Sequence, residues 1–141
     1  MSADLKGKTA VITGASRGIG KAIASTVASL GINLAIAARQ EGPLKETADE
    51  LSKKYKVKVL AIPCDVTKLE DLENLVEKTK KEYGKIDILI NNAGVSSQYP
   101  FQEQPLEDFE KLAHTNYLGY VRLIRLVIND MIKNKSGSII N

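Results

Sequence analysis

Short β-branched apolar runs alternate along this chain with longer stretches in which apolar residues recur every three or four positions. "KTAVIT" (8–13) is apolar almost throughout, like a strand that a parallel sheet buries on both faces. After it, Ile19, Ile23, Val27 and Leu30 mark one face of a helix. "INLAIAA" (32–38) predicts a second strand. Pro43 stands where a first helical residue would, ahead of a stripe of Leu44, Ala48, Leu51 and Tyr55. "VKVLAI" (57–62) is a third strand. Thr67 and Glu70 have the spacing of a capping box, opening a helix with Leu69, Leu72, Leu75, Val76 and Thr79 on its inner side. "KIDILI" (85–90) predicts a fourth strand, and a loop rich in Ser, Gln and Pro (96–105) leads into a long helix over 106–134. "SGSIIN" (136–141) then reads as a turn and the opening of a fifth strand.

Strands and helices in strict alternation give the α/β class, an open parallel sheet with helices on both faces. The 141 residues are enough for one domain with its own core, and 43% apolar with 26% charged residues is an ordinary balance for a folded chain. Twenty basic and 17 acidic residues leave a net charge of +3, mixed along the chain with no basic block, which argues against a nucleic-acid partner. No stretch approaches the ~18 apolar residues of a membrane span. The N-terminal apolar run is too short for a signal peptide. Cys64 is the single cysteine, so an internal disulfide and a multi-cysteine zinc site are excluded, and its setting "LAIPCDV" suggests a small buried hydrophobe. These features predict a cytoplasmic protein.

The chemistry-bearing stretch is "TGASRGIG", Thr13 to Gly20, between the first strand and its helix. Glycines at 14, 18 and 20 let an anion approach the main chain at a helix N-terminus, where unpaired N–H groups and the helix dipole favour it. A P-loop needs G-x-x-x-x-G-K-[ST]. Aligned on Gly20-Lys21, it finds Ala15 in place of its first glycine and Ala22 in place of Ser or Thr. The common G-x-G-x-x-G fingerprint does not fit either, because the spacing is G-x-x-x-G-x-G.

With "CDV" (64–66), "NNAG" (91–94) and "TNYLG" (115–119) following in order, the chain resembles the N-terminal part of a classical short-chain dehydrogenase/reductase. The resemblance implies a Rossmann-type, doubly wound sheet of about five strands, ordered 3-2-1-4-5. It places Gly14, Ser16, Arg17, Gly18, Ile19 and Gly20 in the cofactor turn, Asp65 and Val66 near an adenine, and Asn91, Ala93 and Gly94 in the motif closing strand four. Asn116 matches the asparagine of the family's catalytic tetrad. From the residues alone, Asp65 could instead flank the helix at Thr67, and Asn91 and Asn92 could satisfy buried backbone groups. A polar Asn116 in an apolar helical run suggests water-holding or backbone bonding, and His114 reads as incidental.

The end of strand two selects between nicotinamide cofactors. A NAD site usually has Asp or Glu there, about 20 residues beyond the turn, to hold the ribose hydroxyls. This chain has Ala38 followed by Arg39, and Arg17 lies in the turn, so two guanidiniums are placed to grip a 2′-phosphate. NADP is therefore expected rather than NAD.

The family transfers hydride between the nicotinamide and a carbonyl or alcohol, using a serine and a Tyr-x-x-x-Lys pair besides the asparagine. Here Tyr55, Tyr83, Tyr99, Tyr117 and Tyr120 are followed at that spacing by Val59, Asp87, Glu103, Val121 and Ile124. The expectation is that 1–141 is a single dinucleotide-binding domain cut before its catalytic half and inactive alone. The alternative is a complete short nucleotide-binding or interaction module without catalysis. The resemblance further implies a full-length homo-oligomer through the helix at 106–134, with an isolated chain prone to associate. A small-molecule ketone such as a 3-oxoacyl, steroid or sugar-like carbonyl is the expected substrate class.

Overall fold

β1 (Thr9–Thr13) is the central strand, and all five of its residues are buried. The computed structural model describes residues 5–141. Residues 1–4, the start of the N-terminal stretch read above as too short for a signal peptide, lie outside the described residues. On one edge β1 pairs in parallel with β2 (Asn33–Ala38), in the register Thr9 to Asn33 and Thr13 to Ala37. β2 in turn pairs with β3 (Val59–Pro63). On the other edge β1 pairs with β4 (Ile88–Ile90), which pairs with β5 (Ser138–Ile140). The order β3-β2-β1-β4-β5 is the one the resemblance implied.

Side chains alternate across β1 and β2 and feed two separate cores. Ala10, Ile12, Leu34 and Ile36 pack with α1 (Gly18–Ser29) and α2 (Glu41–Tyr55). Val11, Ala35 and Ala37 face α3 (Leu69–Tyr83) and α5 (Gly119–Lys133). Each fully buried Ile or Leu in these layers contributes about 1.5–3 kcal/mol.

The helices depart from the sequence reading in four places. First, α1 buries Gly20, Ala24 and Ala28, while Ile19 and Leu30 are 76% and 51% exposed. Small residues let α1 sit close on the strands, and the bulkier Ile23 and Val27 pack only at its flank. Second, α2 begins at Glu41, so Pro43 is its third residue, within the first turn where an N–H has no intrahelical acceptor.

Third, the capping box does not form. Thr67 donates its hydroxyl (2.7 Å) and its N–H (3.0 Å) to Asp65 Oδ1, and α3 starts at Leu69, which is itself exposed. A carboxylate two residues away captured the threonine that Glu70 was expected to share. Fourth, the long helix is three pieces: α4 (Leu106–Ala113), a π-helical turn (His114–Leu118) and α5, capped at Asn134. Its inner face is Leu123, Val127 and Met131, whereas Leu106, Tyr117, Val121 and Ile132 are exposed.

One buried carboxylate joins the central strands. Asp87 is 5% exposed, accepts the Thr9 N–H at 3.0 Å and pairs with Lys85 at 2.8 Å. Burial pushes its pKa up, but the Lys85 contact and the Thr9 bond outweigh that and leave it below the ordinary value. A carboxyl depressed in the folded state adds stability that is fully present above the unfolded pKa, near 4, and is lost as pH falls through the folded value. The thermal midpoint of the parent is thus expected to exceed that of Asp87→Asn at neutral pH, with the gap closing below about pH 4. A gap constant down to strong acid would contradict this, and urea titrations of both proteins at several pH values provide a second check.

Candidate functional site

The chain leaves β1 at Thr13 and turns through Gly14, whose φ is +69°. A Cβ on Gly20 would lie 2.1 Å from the Gly14 carbonyl oxygen and 2.5 Å from Asn92 Nδ2. The start of α1 is therefore pressed onto the turn as only glycine allows. At Gly18 a Cβ would meet nothing within 4 Å, because that position faces open space. Arg17 is the N-cap residue and makes no side-chain cap, so its side chain leaves the first N–H groups of α1 uncapped. The turn is braced from behind by the Thr47 hydroxyl, which donates to the Ser16 carbonyl at 3.1 Å.

In front of the turn opens a cleft of about 840 Å³ at the carboxyl ends of the strands. This is where an open α/β sheet binds its ligands. Gly14, Ser16, Arg17, Gly18, Ile19 and Gly20 form its floor. Arg39, Asp65 and Val66 line it beyond β2 and β3, and Ala93 and Gly94 beyond β4. Ile19, missing from the α1 core, is thus accounted for at the cleft.

Two predicted residues do not line it. Asn91 is 4% exposed; its N–H donates to the Ile140 carbonyl at 2.9 Å and its Nδ2 to Asn141 Oδ1 at 2.7 Å, so it joins β4 to β5. Successive residues of an extended chain face opposite ways. It is Asn92 that reaches the turn, donating Nδ2 to the carbonyls of Thr13 (3.0 Å) and Gly14 (3.2 Å). Asn116 stands behind the wall, in the π-helical turn. Its Oδ1 accepts the Val95 N–H (2.9 Å) and its Nδ2 donates to the Val95 carbonyl (2.8 Å). The backbone-bonding role read from its position is what the side chain performs here.

The sequence reading did not select Gln40, Thr67, Val95, Lys111 or Thr115, all of which line the cleft. Lys111 and Thr115 carried one usable signal: Thr115 immediately precedes Asn116, and Lys111 lies about one helical turn before Thr115.

Charge in the cleft is mixed. The Asp65 carboxylate is pushed up by burial, but the Thr67 N–H and hydroxyl, then Arg39 and Lys68, hold it below the ordinary value. It is an ionised acceptor beside a guanidinium. Cys64 also lines the cleft, and burial, reinforced by the carboxylates of Asp71 and Asp65, pushes its thiol up to about 12. A thiol so protonated is no nucleophile at neutral pH. The site can therefore bind an extended anion at the α1 N-terminus, with arginines at one end and amide-rich backbone at the other.

The profile of the short chain dehydrogenase family matches residues 8–141. The chain is 38% identical over 138 residues to an uncharacterized oxidoreductase of Staphylococcus saprophyticus, covering 98% of this chain and 59% of that one. It is 37% identical over 139 residues to an NADP-dependent 3-hydroxy acid dehydrogenase of Schizosaccharomyces pombe, covering 97% and 54%. Among solved structures, L-sorbose reductase from Gluconobacter frateurii complexed with NADPH and L-sorbose superposes with a TM-score of 0.93 at 37% identity, over 99% of this chain and 53% of that one. The chain spans about half the length of the curated relatives it matches.

Proposed function

The chain belongs to the short-chain dehydrogenase/reductase family, and from that premise we propose that 1–141 is a dinucleotide-binding domain that takes NADP(H). The observation that carries the reading is the floor and flank of the cleft. A glycine turn opens onto it with uncapped N–H groups, and Arg17 and Arg39 line it with Ala38 where a ribose-binding carboxylate would stand. Gly18 and Ile19 would hold the pyrophosphate, the guanidiniums of Arg17 and Arg39 the 2′-phosphate, and Asp65 and Val66 the adenine, all six residues lining the cleft. A nicotinamide carried toward Ala93 and Gly94 supplies or accepts a hydride when bound. The chain's own residues hold and orient the dinucleotide. The NADPH complex of the sorbose reductase and the NADP dependence of the fission-yeast relative agree with this reading.

In the whole protein the activity is hydride transfer between that cofactor and a small carbonyl or alcohol, with Asn116 as its asparagine. No Tyr-x-x-x-Lys occurs in these 141 residues, so the chain by itself binds cofactor without turnover. The exposed apolar residues of α4 and α5 support association through that face. Titration with NADPH, followed by nicotinamide fluorescence, is expected to saturate, with NADH binding at least tenfold more weakly. Equal affinities would remove the NADP assignment, and no binding of either would remove the dinucleotide reading.

A further inference from the structure

The wall from Asn92 to Val95 has no regular hydrogen-bond ladder, and side chains from elsewhere hold it. Thr13 Oγ1 accepts the N–H groups of Asn92 (3.1 Å) and Ala93 (3.0 Å), Asn116 holds both polar groups of Val95, and the Tyr120 hydroxyl donates to the Ala93 carbonyl at 2.9 Å. The opposite wall, Cys64 to Thr67, is tied to the same helix: Arg122 Nη1 donates to the Thr67 carbonyl at 2.9 Å. Both walls are thus fastened to one rod by separate donors two residues apart.

We propose that Tyr120 and Arg122 are positioning residues that set the two walls independently, Arg122 the adenine end and Tyr120 the nicotinamide end. Neither lines the cleft; each acts through a carbonyl whose residue does. Losing the Arg122 bond frees the Thr67 carbonyl and, with it, the Asp65–Thr67 turn in which Asp65 Oδ1 is already fully engaged. Losing the Tyr120 hydroxyl frees the Ala93 carbonyl next to Gly94 and leaves Thr13 as that residue's remaining side-chain anchor. Charge-assisted and neutral hydrogen bonds of this kind differ in strength by about twofold, so the arginine should matter more.

The assignment of ends rests on the NADP(H) reading, and the test separates the two. Affinities for NADPH and for 2′,5′-ADP, which shares only the adenine end, are measured in the parent and in Arg122→Met, Arg122→Lys and Tyr120→Phe. Arg122→Met is expected to weaken both ligands roughly five- to tenfold, with Arg122→Lys recovering much of the loss. Tyr120→Phe is expected to weaken NADPH and leave 2′,5′-ADP unchanged. Amide hydrogen exchange without ligand is the second readout: faster exchange confined to 64–68 in Arg122→Met, and to 92–95 in Tyr120→Phe. If both variants weaken both ligands alike, or loosen both walls alike, independent positioning is wrong. If the parent binds neither ligand the NADP(H) reading falls, and the exchange pattern alone decides whether the walls are set separately.

Discussion

Replacing Arg39 by Asp together with Arg17 by Ala is expected to invert the cofactor preference. Both arginines line the cleft, and neither is a structural residue of the core. A charge-assisted bond contributes about 1.5–3 kcal/mol, so each guanidinium lost from a 2′-phosphate should lower NADP(H) affinity from about tenfold to over a hundredfold. The new carboxylate adds repulsion toward a phosphate and offers an acceptor to ribose hydroxyls, so NAD(H) affinity should hold or rise. Because both side chains are exposed, the parent's preference should also narrow as salt rises and screens them. Calorimetric titration of both cofactors reads the ratio directly. Unchanged affinities for both would mean that the arginines do not touch the cofactor.

Gly20→Ala is expected to cost both stability and binding. The added methyl would sit 2.1 Å from the Gly14 carbonyl oxygen, with the Gly14 carbon at 2.7 Å, so backbone rather than a flexible side chain must yield. Overpacking of this kind costs about 1–3 kcal/mol, or a thermal midpoint lower by about 3 °C or more. The movement opens the contact between the turn and α1, displacing the N–H groups that face the anion, and NADPH binding should be lost. Gly42→Ala is the internal comparison: it lies in the first turn of α2 and its methyl would meet nothing within 4 Å. There the change should be neutral or stabilising by up to about 1 kcal/mol. Equal behaviour of the two variants would show that the Gly14–Gly20 contact is not the constraint described.

What the amino-acid sequence disclosed, and what it withheld, follows from the range of the interactions involved. The strands were legible because a doubly covered parallel sheet demands uninterrupted apolar runs such as "AVIT" and "LAIAA". The glycine turn was legible because its spacing is local. The buried face of α1 was misread because close packing there is made by Gly20, Ala24 and Ala28, and small residues carry little hydrophobic signal. The capping box was misread because a competing acceptor, Asp65, sat two residues upstream. The π-helical turn left no mark in composition, although Asn116 stands in it. The motif at 91–94 was legible, but not the way in which the wall at 92–95 is held. Its holders lie at Thr13, Asn116 and Tyr120, which only tertiary structure brings together.

The strand made first is enclosed late. β1 acquires its second neighbour only when residues 88–90 arrive, and the Thr9–Asp87 bond beside that pairing spans 78 positions. On a ribosome, then, β1, β2 and β3 can zip together while one flank of β1 stays bare. Closing so long a loop carries an entropic toll that rises only slowly with length, but it delays the event. During that interval the nascent chain carries an open strand flank that can recruit a wrong neighbour. Slowing translation beyond β4, rather than before it, should therefore improve the yield of native protein.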